Sequence, residues 1–315
     1  MNFAPTPLHF LEKDERGNRF YLKREDLLPY SFGGNKVRIG LSYLEDFRAV
    51  GATRMIAYGN PRSNLCRVLA NLCAMEGIPL TVLSPADEDG SRADSFNSRM
   101  SCFLGAEILP CLKTGVAQAV QRALEDSRAR GEIPYYIYGD ITGKGREQVA
   151  AKPYVEVYRE ILSQEAALGV HFDRIVVSLG TGMTLGGLLA GATLAEPGEK
   201  RKLLGISIAR EEENARSHVL SYAASCLGGR NPEEGLLEIS DFFRGQYGLW
   251  GEEEARAIRE MLKSHGIPLD PTYTGKGWWG LKELSRGWEN QTLLFLHTGG
   301  TPLFFDALGE GLLHE

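Results

Sequence analysis

The sequence predicts an α/β protein built from open, twisted parallel sheets with helices on both faces, arranged as two lobes. Three observations predict it. Short apolar runs alternate with longer amphipathic stretches along nearly the whole chain, the pattern of strands joined by crossover helices. The segments that directly follow three of these runs are rich in glycine and small polar residues, and parallel sheets put their ligand-facing loops at the carboxyl ends of strands. The chain has 315 residues, a length that favours two cores over one.

Taken in order, strands are predicted at 54–58, 80–83, 106–109, 135–138, 174–178, 203–208 and 292–297. Helix-like stretches separate them. SNLCRVLANLCAMEG opens on a capping serine, Ser63, and closes at Gly77. GEEEARAIREMLKSHG carries acidic residues in its first turn and has Gly266 past its last. Residues 175–195 run without a charge for long enough to cross a bilayer. Within that run, Ile175-Val176-Val177 gives way at Gly180-Thr181-Gly182 to an Ala/Leu/Gly-rich segment. A buried strand, a glycine turn and a helix account for it, and no membrane span is expected.

Composition narrows the function classes. Net charge is −6 and the basic residues are scattered, so no nucleic-acid partner is expected. The five cysteines form no CxxC pair and their number is odd, which argues against a disulfide framework and offers no metal site. The N-terminal MNFAPTPLHF lacks the basic and apolar regions of a signal peptide, and a cytoplasmic protein is expected.

Five segments stand out for chemistry. GTGMT, at 180–184, offers free helix N–H groups and the hydroxyls of Thr181 and Thr184 to a phosphate. It is no Walker A loop, because no Gly-Lys-Ser/Thr follows. As a dinucleotide fingerprint its third glycine, Gly186, comes one residue late, and the next strand ends in Arg210 where a ribose-binding acid would stand. SFGGNK brings two glycines before Asn35-Lys36, and a lysine becomes a nucleophile when desolvated. The charges of the preceding LKRED read as ordinary surface pairs. GNPRSN sets Asn60, Arg62, Ser63 and Asn64 at a strand-to-helix junction, where Ser63 is a natural N-cap and the helix N–H groups suit a carboxylate. DPTYTGK and TGGTP contain Tyr273, Thr274 and Thr298, residues that composition alone would not single out.

In this order and spacing the segments resemble fold type II (tryptophan-synthase-β-like) pyridoxal-5′-phosphate (PLP) enzymes, in the branch of D-cysteine desulfhydrase and 1-aminocyclopropane-1-carboxylate (ACC) deaminase. The resemblance runs from TPLH and LKRED through GGNK, RSN, TGMT, YGL and DPTYTGK to HTGG. It implies that Lys36 carries PLP as a Schiff base and that Asn64 bonds the cofactor's ring hydroxyl. Ser63 then lies by the substrate carboxylate. Gly180, Thr181, Gly182, Met183 and Thr184 form the phosphate turn, and Tyr247 and Tyr273 flank the substrate.

Thr274 falls where the ring nitrogen finds its partner, and Thr298 is a further cofactor contact. ACC deaminases resemble this segment but carry a glutamate and a leucine at these two points. A hydroxyl tolerates a neutral ring nitrogen and a weaker electron sink, so Thr274 favours β-elimination over opening of a cyclopropane. The chain departs from the family at Arg62 and Leu65, where glutamine and a polar residue are usual. An arginine there suits a second acid group on the substrate, and equally an outward surface pair.

The implied activity is a PLP-dependent lyase that eliminates the β-substituent of a D-cysteine-like amino acid to give pyruvate, ammonia and sulfide. The alternatives are β-replacement, racemisation or deamination of a diacidic amino acid at the same site, a catalytically dead PLP-fold protein, and a nicotinamide-dependent oxidoreductase. The last leaves GGNK and HTGG unexplained. The resemblance also implies a large PLP-binding domain (1–44 plus 148–315), a small domain that closes over substrate (45–147), the cofactor in the cleft between them, and a homodimer.

Overall fold

Alternation along the strands sends successive side chains to opposite faces of a sheet, so where both faces are apolar, helices cover both. A computed structural model describes residues 4–86, 94–195, 198, 200–242 and 248–313. In chain order its elements are β1 (Leu8–Lys13), β2 (Arg19–Arg24), α1 (Lys36–Ala49), β3 (Arg54–Tyr58), α2 (Asn64–Glu76), β4 (Leu80–Ala86), α3 (Phe96–Phe103), β5 (Glu107–Leu112), α4 (Val116–Ala129), β6 (Pro134–Tyr136) and α5 (Glu147–Leu168). There follow β7 (Arg174–Leu179), α6 (Met183–Ala195), β8 (Lys202–Ser207), α7 (Glu212–Ser225), β9 (Leu237–Ser240), α8 (Glu252–His265), α9 (Thr274–Ser285), β10 (Thr292–His297) and α10 (Thr301–Gly309). By their contacts they form two units. One comprises Met1–Leu28, Phe32–Asn35 and Ala151–Glu315; the other comprises Pro29–Ser31 and Lys36–Ala150.

The first unit holds a six-stranded sheet in the order β1-β2-β10-β7-β8-β9. All pairings are parallel except that of β1 with β2. Val176, Leu204, Ile206, Leu293 and Phe295 join Ile258, Trp278 and Leu281 of α8 and α9 in one core. Ser178 lies on that face too, against Gly277 of α9. The next residue, Leu179, points the other way and packs with Leu185 of α6 around Gly205. Helices therefore cover both faces of this sheet.

The second unit holds a four-stranded parallel sheet, β5-β4-β3-β6. Ile56, Leu83 and Tyr136 pack with Val120 and Ala123 of α4. On the opposite face, Met55 Sδ lies 3.7 Å from Cys73 Sγ of α2. The expected α/β class with helices on both faces holds for each sheet.

The predicted strands all form, two of them (54–58 and 292–297) with the expected bounds. The uncharged run at 175–195 is β7, a turn and α6, and no described helix is long and apolar enough to cross a membrane. Three strands escaped the sequence reading: β1, β2 and the four-residue β9. LHFLEK and RFYLKR carry charges that mask their pattern.

The reading of LKRED as surface pairs is corrected. Lys23 and Glu25 are both fully buried. Lys23 Nζ donates to Glu160 (2.5 Å), Gln164 (2.9 Å) and the Thr6 carbonyl (3.2 Å). Glu25 accepts from Thr6 Oγ1 (2.7 Å) and the Tyr154 hydroxyl (2.8 Å). Buried charges of this kind survive only when paired and hydrogen-bonded, and here they anchor the strand that leads into SFGGNK.

Candidate functional site

In the first unit the glycine turn, the GGN segment and the HTGG segment come together. The turn follows β7; Gly182 has φ +99° and α6 begins at Met183. The leading N–H groups of a helix have no carbonyl one turn back, and they give its first turn a positive end. Met183 is buried, so its backbone N–H is the group it can offer. Asn35 is also buried; its Nδ2 donates to Thr184 Oγ1 (2.9 Å) and its N–H to the Thr298 carbonyl (3.0 Å). Gly34 and Gly299 pass backbone to backbone: a Cβ on Gly299 would lie 2.5 Å from Gly34 Cα. That close approach requires the glycines of GGNK and HTGG. Arg210 Nη1 donates to the Thr181 carbonyl at 3.3 Å, which brings a cation to the turn.

Tyr273, which caps α9, approaches the same turn, and Thr274 follows it. A Cβ on Gly180 would sit 3.3 Å from the Tyr273 ring. Thr274 is fully buried; its Oγ1 accepts from the Asp270 N–H (2.8 Å) and donates to Asp270 Oδ2 (2.8 Å). The Asp270 carboxylate also accepts the backbone N–H groups of Thr272, Tyr273 and Thr274. Burial nevertheless pushes its carboxyl up to about 6, against those hydrogen bonds. Asp270 thus organises the DPTYTGK turn, a role that sequence reasoning missed although the D-P-x-x-T pattern of an aspartate-capped turn was there to read. His297 is buried and its pKa lowered by desolvation. Its Nδ1 accepts from Gly299 N–H (3.2 Å), so its Nε2 carries the proton shared with the Pro268 carbonyl at 2.9 Å.

In the second unit Lys36 opens α1, half-buried, and desolvation lowers its amine to about 8. The loop after β3 is pinned from several sides. Asn60 Oδ1 accepts the Arg62 N–H (2.9 Å), Ser95 Oγ donates to the Pro61 carbonyl (2.6 Å) and Asn97 Nδ2 donates to the Arg62 carbonyl (3.0 Å). Ser63 caps α2 as its position suggests, accepting from Cys66 N–H at 3.2 Å. Asn64 Oδ1 accepts from Asn97 Nδ2 (2.9 Å) and Arg67 Nη2 (3.3 Å). Its acceptor end is taken, which leaves its NH2 end as the group it can offer to a ligand. Tyr247 lies outside the described residues.

A profile of the family described as "Pyridoxal-phosphate dependent enzyme" matches residues 1–299. The chain belongs to this family. Among curated members of the PLP-dependent enzymes, it is 30% identical to the 1-aminocyclopropane-1-carboxylate deaminase of Allorhizobium ampelinum, with 96% of this chain and 94% of the relative covered. It is likewise 30% identical to the D-cysteine desulfhydrase of Yersinia enterocolitica, over 95% of this chain and 92% of that one. The solved structure of an "ACC deaminase homologue" is 29% identical, superposes with a TM-score of 0.83, and matches 98% of this chain and 93% of its own. O-Ureido-L-serine synthase shares the fold at 17% identity and a TM-score of 0.68, over 96% of this chain and 93% of its own.

The chain is therefore a PLP-dependent enzyme with the fold type II architecture. Each unit carries donors that fit that cofactor. A helix N-terminus with a buried threonine hydroxyl suits a phosphate, an amine lowered by desolvation suits imine formation with an aldehyde, and an amide that presents its NH2 end suits a phenolate oxygen.

Proposed function

We propose that the protein is a β-eliminating lyase that converts a D-cysteine-like amino acid to pyruvate, ammonia and sulfide. The observation that supports it is Thr274, a buried hydroxyl held by Asp270, at the position where this branch places the partner of the ring nitrogen. A carboxylate there would keep that nitrogen protonated; a hydroxyl suits a weaker electron sink, which suffices when a good leaving group departs.

PLP bound through Lys36 would supply an electron sink for the negative charge left on the substrate α-carbon. The chain's residues would do the rest. N–H groups of Gly180 to Thr184, with the hydroxyls of Thr181 and Thr184, bind the phosphate. Asn64 Nδ2 donates to the ring hydroxyl, and Thr298 adds a contact. Ser63 receives the substrate carboxylate at the start of α2, beside Arg62. Lys36 Nζ, whose pKa burial lowers to about 8, takes the α-proton in its neutral form. The Cβ–S bond breaks with its electron pair on sulfur, and Tyr273 or Tyr247 supplies the proton.

The division into 1–44 plus 148–315 and 45–147, a homodimeric assembly and a cytoplasmic location belong to the same proposal. The test is the visible spectrum of the purified protein. A band that borohydride abolishes and transfers to the Lys36 peptide, with pyruvate and sulfide formed from D-cysteine, supports the reading. A protein that takes up no PLP overturns it. A second reading rests on Arg62, whose backbone is held at both N–H and carbonyl beside Ser63. It makes the substrate diacidic, and a panel of D- and L-amino acids assayed for pyruvate separates the two, because replacement and racemisation release none.

A further inference from the structure

A guanidinium is among the costliest groups to bury, yet Arg67 on α2 is fully buried and is the largest side chain so enclosed among the described residues. Leucine or methionine would fill the same helical position at less cost. Two of the contacts of Arg67 are ones a core filler would not make. Its Nη1 donates to Ser31 Oγ at 2.8 Å, and its Nη2 donates to Asn64 Oδ1 at 3.3 Å, on the same oxygen that receives Asn97 Nδ2.

Both partners occupy demanding places. Ser31 is the middle of Tyr30-Ser31-Phe32, three consecutive non-glycine residues at φ +71°, +47° and +61°; Gly33 and Gly34 continue the left-handed path at +68° and +96°. Side chains with a Cβ rarely adopt such angles, and strained backbone persists only where surrounding bonds over-determine it. Asn35 and Lys36 come next in the chain. Asn64 can present either end of its amide to a ligand, and two donors on Oδ1 decide which.

We propose that Arg67 is a positioning residue that holds the left-handed turn leading into Lys36 and fixes the Asn64 amide with its NH2 end toward the cofactor's ring oxygen. The inference rests on the functional reading above, in which Lys36 and Asn64 hold the cofactor. A donor fixed on the ring oxygen favours its ionised form, and the buried positive charge acts in the same direction. Burial pulls the Arg67 guanidinium only to about 10, so it stays charged at neutral pH. Lysine at this position has one point charge and lacks the planar fork that spans two acceptors.

The experiment compares PLP-loaded wild-type protein with Arg67→Lys, Arg67→Met, Asn97→Ala and Ser31→Ala. The readouts are the ratio of the long-wavelength band (ionised ring oxygen) to the short-wavelength band (protonated ring oxygen), kcat and KM separately, and the melting temperature of the apoprotein. Arg67→Lys is expected to keep PLP on Lys36 while its band ratio and kcat fall about tenfold, KM changing little, the effect of losing one charge-assisted hydrogen bond. Asn97→Ala shifts the ratio the same way by less, and adds little in the Arg67→Lys background. Ser31→Ala slows PLP capture with the ratio kept.

Wild-type ratio and kcat in Arg67→Met or Arg67→Lys overturn the inference, as does a lowered melting temperature with an unchanged ratio. If the Arg67 variants do not fold, Asn97→Ala and Ser31→Ala decide, and wild-type spectra and capture rates in both overturn it. A wild-type protein with no reducible band overturns the functional reading and this inference together, whereas a wild-type band unaltered in the variants overturns this inference alone.

Discussion

A lysine amine attacks an aldehyde only in its neutral form, so the chemistry of Lys36 is set by how much water its charge loses. A solvated lysine holds its proton to about 10.5, and burial brings Lys36 to about 8. The unfolded chain therefore binds a proton that the folded one does not between these values. The resulting cost is complete below about pH 8, shrinks as the pH climbs, and is gone above 10.5. The rate at which apoprotein captures PLP should rise with pH to a midpoint near 8, measured by stopped-flow absorbance. In Lys36→Ala the reducible band should be absent, and the gain in apoprotein stability above pH 8 should flatten relative to the parent. A capture midpoint near that of a free lysine would show that the amine is not desolvated. The Ser63 cap and the glycine turn before α6 were legible because caps and glycines leave local marks. Asn35 and Asn97 act through side-chain bonds instead. The Asn35 bond to Thr184 spans 149 positions and that of Asn97 to Asn64 spans 33, and no local pattern encodes a partner so remote.

At the scale of elements, two helices make predictions that separate packing from chemistry. Ser63 caps α2, and aspartate is an equally good cap. Ser63→Asp should keep the melting temperature within a few degrees and abolish turnover, since a carboxylate would then face the substrate carboxylate. Ser63→Ala should instead lose about 1 kcal/mol of stability. Calorimetry beside an activity assay distinguishes them. In α6, the late third glycine that spoiled the dinucleotide fingerprint has a packing role. A Cβ on Gly186 would lie 2.5 Å from Tyr222 Cβ of α7, and Cβ atoms on Gly187 and Gly191 would lie 2.5 Å from Tyr154 and Tyr158 of α5. Glycine to alanine inside a helix ordinarily stabilises by about 1 kcal/mol. Gly187→Ala should have the opposite sign, losing about 1–3 kcal/mol to overpacking, and a denaturation curve that shows a gain would disprove the contact. Strand positions were legible wherever apolar runs were clean; β1 and β2 were lost because charged residues interrupt LHFLEK and RFYLKR, and Lys23 of β2 looks like a surface residue until the fold pairs it with Glu160 of α5.

Over the whole molecule, the order of strands and helices predicted the α/β class, and the order of short motifs predicted the family. Topology was less accessible. Nothing local tells β2 that its parallel neighbour is β10, with Arg19 opposite Thr292. The segment from Lys36 to Ala150 has its own four-stranded sheet and its own core, and its two ends meet where Ser42 Oγ donates to the Val149 carbonyl at 2.7 Å. Inserted segments with neighbouring ends commonly fold alone. A fragment spanning residues 36–150 should show a helical circular-dichroism spectrum and a single cooperative melt; a featureless melt would show that its core does not suffice.

The pairing of β2 with β10 also has a consequence in time. A ribosome makes the chain from its amino end, and β2 emerges long before its neighbour β10. The 36–150 segment can settle during synthesis, but the strand that leads into the lysine turn waits with an open edge until β10 arrives. On the proposed reading, PLP is taken up at Lys36 only after β10 is in place, and a chain cut short before His297 should show no reducible band.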